Sequence, residues 1–417
     1  LFAEDPLTTT AAVAGSGTLQ VIDTYDVSGS LARNGDSIPT INLDQASIVL
    51  NKDLIIGDGI VVSTSENGTS VVLNETATTC TIDLSQPIKL KSLTLHSTNL
   101  ILADGSDLTI TDAFSFNEGG LSIGKQSLTF NAPLTMGRAT IDATTGAKII
   151  LNQGGTISSG TLNIPGATIE TGGDLTLSGG TLTTTGTELK LNSNVLLTYA
   201  TALTLGNLDL NGNALTLTTG CPKLSVASVS ALDTANEKLI SQDADFTSQS
   251  NISVSQGSIT STSGTIEGAF TLSSTGTIDV QDGSGSGNLV FNGNSNISSG
   301  TFNVSSTIVF SGSVTVSLDT PNSTTAGSTW TLEPGDKLVL SDAMPNDSFT
   351  GTVNLAGGSL TFSDAFDGTL IISVDSTISP TGTLASLNIA ANKKVTIGAD
   401  CTSCIITTLA LADKTSE

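Results

Sequence analysis

The sequence predicts an all-β protein built as a right-handed parallel β-helix, an elongated β-solenoid with short insertions. Three observations predict it. Apolar residues recur two apart in short phrases, small turns rich in Gly and Asn separate the phrases, and aromatic residues make up only 4% of the chain. A narrow solenoid interior filled by stacked Leu, Ile and Val suits that composition, whereas a β-sandwich usually centres on Trp or Tyr.

The phrases run from Ile41 to Leu411. Leu93-Thr94-Leu95, Leu108-Thr109-Ile110, Leu128-Thr129-Phe130, Leu175-Thr176-Leu177 and Leu215-Thr216-Leu217 are examples. This alternation puts aliphatic side chains on one face and Thr on the other, the pattern of a half-buried strand. β-Branched Thr suits the exposed face. About seven to fifteen residues separate successive phrases, too few for intervening helices. Turns such as Asn152-Gln153-Gly154-Gly155 and Asn211-Gly212-Asn213 supply the residues that bend a chain sharply. The period is not strict, and coils are not countable from it.

Departures from the pattern define the expected organisation. Residues 1–17 read as an extended N-terminal arm, in which Thr8, Thr9, Thr10, Ala11, Ala12 and Val13 are small, uncharged and able to pair with the edge of a neighbouring subunit. Residues 18–221 form the first part of the solenoid. Residues 222–250 are an insertion or junction with a short helix, since Ala227 to Gln242 is the most helix-compatible stretch of the chain. Residues 251–318 are the second part of the solenoid. Residues 319–349, with Trp330 and Met344, form a protruding loop or cap, and 350–417 are the C-terminal part.

Phrases such as Asn288-Leu289-Val290-Phe291-Asn292-Gly293 and Gly300-Thr301-Phe302-Asn303-Val304 carry a resemblance. The run from Gly264 through Leu318 resembles autotransporter passengers and filamentous-haemagglutinin-type adhesins. In those proteins, too, strand and Gly/Asn-turn units repeat without a fixed period. This chain lacks their aromatic-rich barrel, the Asn-Pro-Asn-Leu secretion signature and the calcium-binding Gly-Gly-x-Gly-x-Asp nonapeptide. The resemblance implies a β-helix and cell-surface residence; it implies no ligand.

Charge excludes some functions. The chain holds 38 acids against 14 bases, a formal charge of −24, and its only arginines are Arg33 and Arg138. Nucleic-acid binding requires clustered Lys and Arg to displace counterions, so no nucleic-acid partner is expected. Lys393-Lys394, the only adjacent basic pair, reads as two solvated turn residues. No stretch approaches the roughly 20 apolar residues that span a bilayer, so no transmembrane segment is expected. The chain starts at Leu1 and its first basic residue is Arg33. A secreted or cell-surface protein after signal-peptide removal is the expectation.

In that compartment the four cysteines read as disulfides, Cys401–Cys404 as a local loop and Cys80–Cys221 as a long-range tie. The single C-x-x-C has neither a second pair nor a nearby His to make a zinc site.

Little points to catalysis, and no enzyme is expected. Glycosidic cleavage needs two facing carboxylates beside aromatic platforms. Asp104 with Asp107, Asp243 with Asp245, Asp279 with Asp282, and Asp364 with Asp367 are the acid pairs. Each falls at an expected turn, where Asp bonds its own backbone. No cofactor is expected beyond calcium at these acidic turns. His96 reads as a surface residue beside a strand. Asp282-Gly283-Ser284-Gly285-Ser286-Gly287 lacks the Lys of a phosphate loop. Ranks of Thr, as in Thr181-Leu182-Thr183-Thr184-Thr185, resemble ice-binding solenoids, but the loose period is expected to break their register. The Asn-x-Ser/Thr sites, from Asn67 to Asn346, arise readily by chance in a chain this rich in Ser and Thr.

The function expected is an extracellular structural protein, a subunit that self-assembles head to tail into a cell-surface filament or surface layer. The alternative is a β-helical adhesin that binds a surface glycan or host receptor through the Trp330 region.

Overall fold

The structure, a computed structural model, describes residues 87–102, 104–218, 220–241 and 246–256 continuously, and outside them the strands with a few adjoining residues. The fold is all-β, a parallel β-solenoid, and every described strand pairing is parallel. The described residues contain no α-helix and hence no helix able to cross a membrane. The chain divides into two compact units, Leu1–Gly206 and Asn207–Glu417.

In the first unit the strands from Ile88–Leu102 to Glu188–Leu191 stack in parallel, each residue facing one about twenty positions on. One ladder runs from Ile88–Leu102 through Leu108–Gly124, Ser127–Phe130, Lys148–Leu151 and Thr168–Thr171 to Glu188–Leu191. A second stacks Leu134–Met136, Gly155–Ile157, Leu175–Leu177 and Val195–Tyr199. A third continues from Leu108–Gly124 through Thr140–Ala143 and Thr161–Asn163 to Thr181–Thr183. The long strands Ile88–Leu102 and Leu108–Gly124 serve more than one ladder, because bulges bend them between Leu90 and Ser92 and between Leu95 and Thr98.

Alternation sorts each strand into an inward and an outward row. Leu108, Leu128, Ile149, Ile169 and Leu189 form one inward column, and each is buried. Burying such a side chain contributes about 1.5–3 kcal/mol, yet no coil can do so without a neighbour above and below. Some of the largest fully buried side chains are aromatic, namely Phe130, Phe270 and Phe291. Phe270 and Phe291 pack with ring centroids 5.1 Å apart.

The turns keep the ladders in register despite the loose period. Gly160 and Gly180 have φ of 95° and 82°, the left-handed region that favours glycine. They also stack closely. A Cβ on Gly160 would meet the Ala139 carbonyl oxygen, and one on Gly180 would meet the Gly160 carbonyl oxygen.

In the second unit one ladder runs from Leu224–Val229 through Phe246–Ser248, Gly264–Ile266, Asn288–Phe291, Thr307–Phe310, Thr329–Leu332, Thr352–Ala356, Phe366–Val374 and Thr383–Ile389 to Ile405–Leu411. A second joins Ala214–Leu217, Lys238–Ile240, Ser258–Ser261, Thr277–Val280 and Thr301–Val304. The third begins at Ile252–Val254 and ends with Lys337–Leu340, Ser359–Phe362, Ser376–Pro380 and Val395–Ile397.

Three expectations are corrected. The helix expected within 222–250 is not formed: Leu224–Val229 and Lys238–Ile240 are ladder strands joined through the bridge residue Leu232 and a turn. Local propensity yields to packing, since Leu224, Val226, Val229, Leu232 and Leu239 all enter the core. Within 319–349, expected as a protruding loop or cap, Thr329–Leu332 and Lys337–Leu340 are ladder rungs paired on both sides; the other residues of the span lie outside the described residues. Their alternation, Thr-Trp-Thr-Leu and Lys-Leu-Val-Leu, fits a ladder rung. Finally, Val13 pairs with Ile41 and Ala14 with Asn42 of the same chain, so this part of the arm joins the chain's own sheet. Thr8 to Ala12 lie outside the described residues.

Candidate functional site

The candidate site lies at the last described rungs of the second unit. Ile405–Leu411 pairs with Thr383–Ile389 in the register Leu387 to Leu409 and Ile389 to Leu411, and Val395–Ile397 pairs with Ser376–Pro380 through Ile378 and Ile397. Among the described residues no strand lies on the other side of either. Leu387 and Ile378 are each 1% exposed, whereas Ile397, Leu409 and Leu411 are 47%, 55% and 65% exposed. The same apolar rows therefore continue into this coil.

The turn entering these rungs carries Lys393 and Lys394, both exposed. It is fixed to the preceding coil: Lys393 donates its N–H to the Ala390 carbonyl, and the Lys394 carbonyl accepts from the Ser376 N–H, each at 3.1 Å.

The described turn acids tie one coil to the next. Asp104 Oδ1 accepts from Gln126 Nε2 at 3.1 Å, and Gln126 Oε1 accepts from the Gly105 N–H at 3.0 Å. Asp107 Oδ1 accepts from the Ser127 N–H at 2.7 Å. Among the described residues no three His, Cys, Asp or Glu side chains converge as metal ligands would. Asp243, Asp245, Asp282 and Asp364, and the side chains of His96, Asp279 and Asp367, fall outside the described residues; Asp279 and Asp367 stand in the strands Thr277–Val280 and Phe366–Val374 and not at the expected turns.

The cysteine expectation is corrected in part. Cys221 is buried and carries no disulfide, so the Cys80–Cys221 tie is not formed. A bridge needs Cα atoms within about 7 Å. The ladder instead sets Cys80 across from Leu100 in the next coil. Cys401 and Cys404 lie outside the described residues.

The Thr ranks are also corrected. Extra residues are absorbed in the turns, and Thr135, Thr156, Thr176 and Thr198 stand in one column.

Sequence reasoning missed Glu237. Its buried carboxylate accepts three backbone N–H bonds, from Gly212 at 3.1 Å, Asp233 at 2.7 Å and Thr234 at 3.0 Å. The spacing Thr234-x-x-Glu237 is the available signal, since it is the spacing with which a carboxylate reaches back to free N–H groups. On an outer face, Lys148 Nζ meets Glu170 Oε1 at 2.8 Å and Asn192 donates to Glu170 Oε2 at 3.3 Å. The Lys148 hydrogen bond holds the Glu170 carboxyl below its usual range, against a smaller opposing effect of burial.

A notch lined by Ile110, Asp112, Phe114, Phe130, Ala132 and Pro133 encloses about 160 Å³ with open solvent included. That is below the roughly 300 Å³ at which small-molecule pockets begin.

No protein-family model, curated protein or solved structure matches the chain.

Proposed function

We propose that this protein is a structural subunit that self-assembles outside the cell into a filament or surface layer. One observation supports the proposal: the described coils are short parallel rungs whose outward positions stack into aligned, uncharged columns such as Thr135, Thr156, Thr176 and Thr198, a repeating surface suited to a scaffold. Subunits that add to one another without closing a ring yield an open fibre. The outward rows of Thr, Ser and Asn also suit a passive scaffold, because they are hydrated without strong charge.

Electron microscopy of the purified native chain tests the proposal. Linear or sheet-like polymers that grow with concentration are expected. Isolated particles at every protein and calcium concentration would overturn it in favour of a monomeric adhesin.

A further inference from the structure

We propose that Asn211-Gly212 is a site of succinimide formation and deamidation, and that Glu237 of the next coil restrains it. The proposal is independent of self-assembly.

The chemistry begins with the pair itself. Asn-Gly occurs at Asn34, Asn67, Asn211 and Asn292. Glycine has no Cβ, so its nitrogen is the least hindered backbone nucleophile toward a preceding Asn side chain. In the reaction the Gly212 nitrogen loses its proton and bonds to Asn211 Cγ. The Cγ–Nδ2 bond breaks and ammonia leaves with that proton. Water, the only co-reactant, then opens the five-membered ring at either carbonyl and gives aspartate or isoaspartate. Isoaspartate routes the main chain through Cβ. Asn211 is exposed, so water reaches it.

The local fold opposes ring closure. Asn211 and Gly212 have φ of 47° and 79°, and the Asn213 N–H donates to the Leu210 carbonyl at 2.9 Å. Two positive φ angles under such a bond make a type I′ turn, whose first central residue has ψ of about 30°. That ψ places the Gly212 nitrogen nearly opposite Asn211 Cβ, whereas the ring needs the two on the same side. The peptide unit between Asn211 and Gly212 must therefore rotate before the bond can form.

Glu237 resists both the rotation and the loss of the proton. The Gly212 N–H donates to Glu237 Oε1 at 3.1 Å. The other carboxylate oxygen is fixed by the Asp233 and Thr234 N–H groups at 2.7 and 3.0 Å, and Glu237 is 5% exposed. Rotation breaks the bond from Gly212 to this anchored acceptor. Removing the proton without rotation sets an amide anion beside a carboxylate, where little water screens the two charges. Each route to the nucleophile is thus made costlier by the same side chain.

The test uses the full chain with E237A and E237Q, each shown by circular dichroism to be folded and then incubated at mildly alkaline pH. Peptide mapping by mass spectrometry measures deamidation at Asn211 and, in the same digest, at Asn292, the other Asn-Gly of the second unit. E237A should raise the Asn211 rate relative to Asn292 by about fivefold or more, and E237Q, which keeps a neutral acceptor, by less. Isoaspartate should appear at Asn211 alongside aspartate. An equal rise at both sites is general loosening and overturns the proposal, as does no change at Asn211. A slower rate at Asn211 in E237A makes Glu237 a promoting base and overturns it too. If E237A does not fold, E237Q decides: a raised ratio supports the restraint and an unchanged ratio removes it.

Discussion

Leu387 and Leu409 occupy the same ladder position one coil apart, and the first is 1% exposed while the second is 55% exposed. Residue type and ladder position are the same at the two positions; Leu387 has described rungs on both sides and Leu409 on one. In a solenoid the burial of any residue is the work of its neighbours about twenty residues away in each direction.

Close stacking of the turns makes Gly160 less replaceable than a glycine of positive φ with open space around it. Gly160→Ala is expected to destabilise the protein by about 3 kcal/mol, because strain and a backbone collision add. Gly105 has φ of 83° but open space around it, so Gly105→Ala is expected to cost about 1 kcal/mol. Thermal unfolding of the two variants compares them. Equal losses would show that the turns do not pack as described.

Glu237 is expected to be a stability determinant of the second unit. Glu237→Ala leaves the Gly212, Asp233 and Thr234 N–H groups without their acceptor. A loss of about 1 kcal/mol follows from removing the charged acceptor of these partly exposed donors, and Glu237→Gln, which keeps one acceptor oxygen, should lose less. A neutral Glu237→Ala in denaturant unfolding would remove this role.

Glu170 predicts a small acid-side dependence. Lys148 lowers its folded pKa below the ordinary 4.5. The folded state thus holds the proton less tightly than the unfolded chain does. Its contribution is present above that value and is lost as pH falls through the lowered folded value. The pair is partly exposed, so Glu170→Gln should cost only about 0.5 kcal/mol at neutral pH and nothing in strong acid. Unfolding curves of both proteins at the two pH values supply the comparison. An equal gap at both would contradict the assignment.

Leu-Thr-Leu phrases made the strands and their inward faces legible in the sequence, and Leu128 and Leu175 lie where that alternation places them. Coil length was not legible. Turns of variable size absorb the differences, so only the ladder shows that Leu128 stacks on Ile149 and Ile149 on Ile169. The segment around Glu237 looked helical because its residues suit a helix start, and the pull of Leu232 and Leu239 into the core is not a local signal. Cys80 and Cys221 looked like partners only while the stacking was unknown.

Hydrogen exchange of the native protein in dispersed and in concentrated samples tests self-assembly most directly. A set of amides is predicted to exchange rapidly when the protein is dilute and to become protected as polymer forms. Rapid exchange that persists in the polymer, or protection already complete in the dispersed monomer, would contradict the account.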